Sequence, residues 1–569
     1  MIITSILCLV FTHFFVVTPF YQLSRNYLSA RKTGLRIIIS PITPYTLQWR
    51  LLTSLCGSYL QQYRWFRAID WTCCWQDNVS LHQELGLCFI IVAPGHNVLC
   101  TSDPKTIEHV LKKWREFVKP DNVNEILGTF GQNVDTSNGD DWIRHRKLTA
   151  PCFNERASAT VWSESMRQSK IMIEQWLSSS DGKWKSMIKD TSTLALNVIS
   201  SVAFENTEVN KPTPGHALSL RDTLVTVMST SISPTMEGIL PFLQFPILQS
   251  LLPSDVKDLL QAMHEFRQYM NEIIVTEREA MTSGQTRVSA LISTLIEASG
   301  QVKTESRASK ARLSDTELRG NIFIFLVGGL ESTSITLSYA IALLAVHPDI
   351  QDWVVEELDE VLSDNVNSEM EYVRVFPRLK RVMAVMYETL RLYGPSPPLP
   401  RSPFPANSQP AVPMTHTSTE EGTESTNLPA NTQIMLNSWA CQTSFTNFPD
   451  PITWNPKRWI QPHLSETTKK ALPATLAAEE LKHATGGSGF VAWGTGSRIC
   501  PGMKFSQVEF CSVLSTVLKG TRVETVCGED EEVNTARQKV MDILKDSCAD
   551  PLLLHVRQPE KLELRIFKR

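Results

Sequence analysis

Apolar side chains recur along this chain in several distinct rhythms. Residues 1–24 are rich in Ile, Leu, Val and Phe and contain no Asp, Glu, Lys or Arg. A helix needs roughly 20 such residues to cross a hydrocarbon layer, so the run predicts an N-terminal membrane span. Arg25, Arg31, Lys32 and Arg36 follow it directly. Cationic flanks stay cytoplasmic, which places the body of the chain on the cytosolic side, at the endoplasmic reticulum of a eukaryotic cell. No basic segment precedes the run and no small-residue cleavage site follows it, which argues against a cleaved signal peptide. Residues 25–50, with Pro41 and Pro44, read as a basic, proline-rich connector.

From Leu87 to Thr101, apolar runs broken by Pro94-Gly95 predict a β-hairpin, and Asp103-Pro104 then caps a helix carrying His109, Trp114 and Phe117. The period is mainly helical from Ala157 to Met281, with interruptions at Pro212 to Pro214 and Pro241 to Pro253. Ser314-Asp315-Thr316-Glu317 is a capping sequence for a long apolar helix through Val346. Another helix starts at His347-Pro348-Asp349, with Glu356, Glu357 and Glu360 on a solvated face. The C-terminal stretches 551–554 and 562–566 run apolar or alternate, as sheet does. Residues 402–427 are rich in Ser, Thr, Pro and Glu without Lys or Arg and read as a disordered insertion, and 465–487 as a second insertion. Together these elements predict a mainly α (α+β) catalytic domain over residues 51–569 behind the anchor.

Composition narrows the partners. With 42% hydrophobic and 20% charged residues and a net charge of −4, the chain has material for a large core and no basic excess for nucleic acid. Twelve cysteines are scattered without paired C-x-x-C spacing, so neither a zinc site nor a disulfide framework is indicated. No dinucleotide fingerprint is present: G-T-G-S-R-I at 494–499 lacks the third glycine.

The candidate chemistry centres on F-V-A-W-G-T-G-S-R-I-C-P-G at 490–502. Gly494 and Gly496 permit a tight loop, and the helical spacing of Val508, Cys511, Leu514 and Leu518 places Cys500 at a helix N-terminus, with Pro501 in the first turn. There the dipole favours a thiolate and lowers its pKa, and a thiolate can be the axial ligand of a haem iron. Standing alone, C-P-G is more often a turn with a structural cysteine. In the long helix, Gly328-Gly329 is followed by Glu331-Ser332-Thr333, an acid beside hydroxyls that can relay protons; a helix bend with a solvated Glu is the plainer alternative. Trp142 and Arg146 lie four apart on one helical face, where an indole N–H and a guanidinium can hold an anionic group. Glu388 and Arg391 can pair at i, i+3, and a shielded pair demands a third partner.

Taken in order, Trp142-x-x-x-Arg146, Gly328-x-x-Glu331-Ser332-Thr333, Glu388-x-x-Arg391, Pro456-x-Arg458-Trp459 and Trp493-x-x-Gly496-x-Arg498-x-Cys500-x-Gly502 resemble the motifs of the cytochromes P450, membrane-bound haem-thiolate monooxygenases, in a fungal form. Trp493 stands where the family usually has Phe, and Ser332 where it has Thr. The resemblance implies the cytochrome P450 fold and haem b. It makes Cys500 the iron ligand, gives Arg498 and Arg401 a place beside the haem propionates with Trp142 and Arg146, and adds Gly502 to the cofactor loop. Arg458 becomes the third partner of a structural Glu388–Arg391 network, and Glu331, Ser332 and Thr333 serve proton delivery. Phe117, Ile126, Leu127 and Phe130 become candidates for substrate lining. Electrons would come from NADPH-cytochrome P450 reductase, with cytochrome b5 a further donor, through a basic face including Arg144, Lys147, Lys482 and Lys504. The implied activity inserts one oxygen atom from dioxygen into a lipophilic small molecule of specialised metabolism. A haem-thiolate isomerase or dehydratase that rearranges a peroxide, and a non-catalytic haem sensor, are the alternatives.

Overall fold

A computed structural model of the chain describes residues 13–569 apart from 45, 78–79, 122–126, 179–182, 205–210, 230–253, 284–289, 300–311, 363–367, 407, 416–422, 463–475, 483–488 and 550–552. Residues 1–12 of the expected span lie outside the described residues. After a π-helical turn at His13–Val17, helix α1 (Thr18–Ala30) continues past the expected boundary at Ser24. Asn26 is buried on its inner side and donates from Nδ2 to the carbonyls of Ala93 (2.9 Å) and Pro94 (3.1 Å). The stretch 25–50 is therefore no bare connector. It holds the end of α1, strand β1 (Arg36–Ile39) and the start of α2 (Leu47–Leu60), whose first turn is capped by Thr46. The β-branched run Ile37-Ile38-Ile39 explains β1: such side chains fit a pleated surface better than a linker.

The predicted hairpin is present as β2 (Cys88–Val92) and β3 (Asn97–Thr101). Helix α3 (Pro104–Lys112) starts at Asp103, whose carboxylate accepts from the Lys105 N–H at 3.2 Å. It stops before Trp114, and Phe117 belongs to strand β4 (Phe117–Val118). With β5 (Leu399–Pro403) and the later strand Thr432–Leu436, these form one six-stranded sheet in the order β1, β2, β3, Thr432–Leu436, β5, β4.

The first expected insertion is not unstructured among its described residues. Strands β6 (Ala411–Thr415) and β7 (Thr423–Asn427) pair antiparallel, and Val412 and Met414 are fully buried. Two alternating apolar residues suffice to seat one face of a hairpin, and the hydroxyl residues that suggested disorder occupy the rest. In the second insertion, Glu479–Leu481 pairs with Ile460–Pro462, and Glu479 takes both arms of Arg381 at 2.9 and 2.7 Å.

Helices α4 (Gly139–Thr149), α5 (Glu155–Leu177), α6 (Met187–Phe204), α7 (Leu220–Ser229) and α8 (Ser254–Thr282) precede α9 (Asp315–Val346), against which α6 packs most extensively. Prolines 241–253 lie outside the described residues. The capping box at Ser314 and Glu317 is formed as expected. Nearly every residue of α9 from Leu318 to Val346 is buried, and an apolar surface on all sides is what an internal helix requires. Among the described residues α9 is the helix long and apolar enough to cross a membrane, and its burial marks it as the core axis. In α10 (Pro348–Val361), Glu357 departs from the expected solvated face. It is buried and accepts from the N–H groups of Arg381 (2.7 Å) and Val382 (3.1 Å), capping α11 (Lys380–Tyr393), and burial pushes its carboxyl up to about 7. Helix α12 (Met503–Gly520) packs chiefly on α5.

Candidate active site

The loop before α12 is built by its glycines. Gly494 and Gly496 have φ of +72° and +70°, and a Cβ on Gly496 would meet the Leu111 carbonyl oxygen at 3.2 Å, so the loop lies directly on the end of α3. The Cys500 N–H donates to the Trp493 carbonyl (2.9 Å), and the Trp493 indole N–H donates to Ser506 Oγ (3.1 Å). Trp493 thus pins the loop to the helix that follows it. Helix α12 begins at Met503 with Gly502 as its cap, so Pro501 precedes the first turn rather than occupying it.

Cys500 is exposed, yet burial is the leading cause that raises its thiol pKa. The two agree when the sulfur opens onto a cleft walled by protein. The Gly502 backbone N–H and the Arg146 charge pull the thiol the other way but do not prevail. Where the helix N-terminus led to the expectation of a lowered pKa, burial instead pushes this thiol up in the haem-free protein. Ionisation of this sulfur calls for a strong local cation, such as a metal.

Around this loop the structure gathers positive charge. Arg498 donates from Nη2 to the Ser137 carbonyl (2.5 Å) and to Asn138 Oδ1 (3.1 Å), and its guanidinium lies 4.8 Å over the Trp142 ring. Its Nε and Nη1 are buried without a partner. Arg401 is buried in β5 and donates to its neighbour's carbonyl at Pro400 (2.7 Å). Burial pulls both guanidinium groups down to about 10, Arg498 further through its proximity to Arg401. Lys119, after β4, pairs with Asp135, and both feel Arg401 and Arg498. Arg146 is half-buried beside Cys500. Three cations, Lys119, Arg401 and Arg498, face one carboxylate, Asp135.

The Glu388 network is the opposite case. Glu388 Oε1 accepts from Arg391 Nη2 (2.9 Å), Arg458 Nε (3.0 Å) and the Asn455 N–H (2.9 Å), while Oε2 accepts from Arg391 Nε and Trp459 Nε1, both at 2.9 Å. Arg391 also donates to the carbonyls of Gln442 (2.8 Å), Pro451 (2.5 Å) and Thr453 (3.2 Å). Gln442 Oε1 accepts from the Val491 N–H at 2.9 Å, which ties this network to the cysteine loop. The motifs named Glu388, Arg391, Arg458 and Trp459; the Asn455 N–H and Gln442 complete the set.

The family model described as Cytochrome P450 matches residues 59–546. The chain belongs to the cytochrome P450 family. It is 27% identical to Cytochrome P450 monooxygenase ORF6 of Penicillium roqueforti, over 92% of each chain. It is also 27% identical to the phomenoic acid biosynthesis cluster cytochrome P450 monooxygenase of Leptosphaeria maculans, again over 92% of each. Similarity extends to cyclooctat-9-en-7-ol 5-monooxygenase of Streptomyces melanosporofaciens, at 25% identity over 75% of this chain and 80% of that one.

Cytochromes P450 carry haem, and the side chains here fit one. Haem propionates bring two negative charges, and the unpartnered nitrogens of Arg498 with the buried Arg401 supply the donors and charge that such carboxylates need. The sulfur of Cys500, beside the Gly502 N–H, is a suitable iron donor.

On α9 the two glycines differ. A Cβ on Gly328 would meet nothing within 4 Å, whereas one on Gly329 would meet Ile199 of α6 at 2.9 Å. Gly329 therefore serves helix packing, and only Gly328 leaves an open flank. Burial pushes Glu331 up to about 7. Ser332 donates from Oγ to the Gly328 carbonyl (2.7 Å), and Thr333 is buried. Phe153 joins this helix to the cysteine loop: its ring is 5.2 Å from Phe325 and 5.1 Å from Phe505, and it lies beside Gly502. No sequence signal marked it. Among the lining candidates, Phe130 packs on Phe266 (4.6 Å) and Phe323 (4.7 Å), and Phe117 is buried near His109, so both are core. Leu127 is half-buried and Ile126 lies outside the described residues.

Proposed function

We propose that this chain is a haem b-dependent monooxygenase, with Cys500 as the iron ligand, that places one oxygen atom from dioxygen on a lipophilic small molecule of specialised metabolism. The observation that carries this reading is the pairing of one exposed thiol, Cys500, with a group of cations short of anions, Arg498, Arg401 and Arg146. Bound haem supplies dioxygen binding and two-electron oxidising chemistry at iron. Arg498, Arg401, Arg146 and Trp142 hold the propionate edge. The Val491–Gln442–Arg391 chain holds the cysteine loop in register with the Glu388 brace. Glu331, with a carboxyl pushed up to about 7, is about half protonated at neutral pH and so able both to take up and to release a proton at the Gly328 flank, and Ser332 Oγ, donating to Gly328, presents its lone pairs as acceptors. Thr333 supports this turn from the buried side.

Electrons come from NADPH through a separate reductase, with cytochrome b5 a further donor. Of the basic surface expected to meet it, Arg144 is engaged by Glu317 and Asp141, and the exposed Lys504 by Glu155, while Lys147 and Lys482 are exposed as well. Residues 1–24 tether the chain to the endoplasmic reticulum membrane. The relatives that act in a phomenoic acid cluster and on cyclooctat-9-en-7-ol support an apolar substrate class. The test is the spectrum of purified protein reduced under carbon monoxide, together with NADPH consumption on adding reductase and candidate precursors. The reading expects the red-shifted Soret band of sulfur-ligated iron in the wild type and its loss in Cys500→Ala; a Cys500→Ala variant with an unchanged band and turnover would sink it.

A further inference from the structure

The seat of Arg498 is made by two neighbouring segments, and both lean on the start of α9. Arg498 Nη2 is held by the Ser137 carbonyl and Asn138 Oδ1, and its guanidinium lies over Trp142 of α4. The loop before Ser137 runs with its backbone against α9. A Cβ on Gly320 would collide with the carbonyl oxygens of Gly131 and Gln132, and one on Gly131 with that of Thr316. Asn321 adds a bond in each direction. Its Oδ1 accepts from the Val134 N–H (3.0 Å), while its Nδ2 donates to the Glu317 carbonyl (2.7 Å) and lies 3.0 Å from His145 Nδ1. A backbone N–H only donates and a backbone carbonyl only accepts, so the amide has one orientation and His145 Nδ1 must be an acceptor. The proton of His145 is therefore on Nε2, which faces Glu317 Oε1 at 3.3 Å, and burial keeps the ring neutral by lowering its pKa. Both side chains are fully buried, and each of their polar atoms has a partner. One amide thus ties α4, through His145, and the 131–138 loop, through Val134, to a single point on α9.

Resting on the haem reading above, we propose that His145 and Asn321 are positioning residues for the cofactor: their hydrogen bond fixes Trp142 relative to Ser137 and Asn138, and so holds Arg498 where a haem propionate can take its unpartnered nitrogens. The competing role is packing alone. The two ring nitrogens can be tested apart, because an Asn side chain places its oxygen near Nδ1 and a Gln side chain places its nitrogen near Nε2. His145→Asn keeps the acceptor for Asn321, whereas His145→Gln keeps only the donor to Glu317. The measurement is haem loss from purified holoprotein to excess apomyoglobin, made with and without Arg498→Gln. Loss of one buried neutral hydrogen bond makes His145→Gln release haem about three- to tenfold faster, while His145→Asn stays within about twofold of wild type. Because the pair acts through Arg498, His145→Gln adds less than about twofold in the Arg498→Gln background. Packing alone predicts equal losses for the two substitutions and the same acceleration in either background. His145→Gln with wild-type haem loss overturns the proposal, and so does either of those packing outcomes. Should His145→Gln fail to accumulate, Asn321→Ser, which cuts the bonds to both Val134 and His145, takes its place in the same cycle. Failure of the haem-thiolate reading is seen separately, as a wild type that lacks the sulfur-ligated spectrum; the present proposal fails when that spectrum is normal and the effect is independent of Arg498.

Discussion

Two buried charge clusters lie within reach of the cysteine loop, and they are finished to different degrees. Around Glu388 both carboxylate oxygens are filled by five donors, and Arg391 spends its remaining donors on three carbonyls. Around Arg498 and Arg401, the cations share Asp135 and two guanidinium nitrogens have no partner at all. A saturated network holds a fold together by itself. An unsaturated one of the same chemistry is a receptor, whose desolvation is offset only when an anion arrives.

That contrast can be tested by removing charge from each side. The largest effect is expected for Glu388→Gln: two arginines lose their counter-ion in a sealed site, at about 3–5 kcal/mol, read as a lowered Tm and little folded protein. Next comes Glu331→Gln, a lone acid with no counter-charge. Its folded pKa of about 7 lies above the unfolded 4.5, so its ionisation penalty is absent below pH 4.5 and fully present above 7. The variant should be more stable than wild type by up to about 3 kcal/mol at pH 8 and equal to it at pH 4, as thermal scans at the two pH values would show. Gln442→Leu removes the link between brace and loop and strands the Val491 N–H, for about 1–3 kcal/mol; it should loosen haem as well as lower Tm, whereas a purely local role would spare haem retention. The smallest effect on folding is expected for Arg498→Gln in cofactor-free protein, within about 1 kcal/mol of wild type or stabilising, while the same change speeds haem loss tenfold or more. A strongly destabilised cofactor-free Arg498→Gln would erase the distinction between the two clusters.

The parts that were legible in the sequence are those in which spacing along one element fixes the geometry. Asp103 and Ser314 cap their helices because a cap is a matter of three residues. Glu388 and Arg391 meet because they are three apart on α11. Cys500, Arg498 and Gly496 share one loop. What stayed hidden depends on contacts between distant segments. Lys119 lies in one loop and Asp135 and Asn138 in another, just before α4, and they gain meaning only beside Arg498. Glu357 looked solvated because its i, i+3 neighbours are, but α11 places its N-terminus over that carboxylate. In the 411–415 strand, composition drew attention away from the alternation of Val412 and Met414. The thiol's rise is not legible because a helix end is visible in a sequence and the desolvation around its sulfur is not.

Asn26 has a practical bearing on how this protein should be cut for expression. Its side chain is a peg in the turn between β2 and β3, and the Asn97 side chain donates back to its carbonyl at 3.3 Å. A recombinant form trimmed before residue 13 keeps the peg. One trimmed at residue 30 uncovers two carbonyls and the seat of Ala30, and should come out of purification as the shorter-lived preparation.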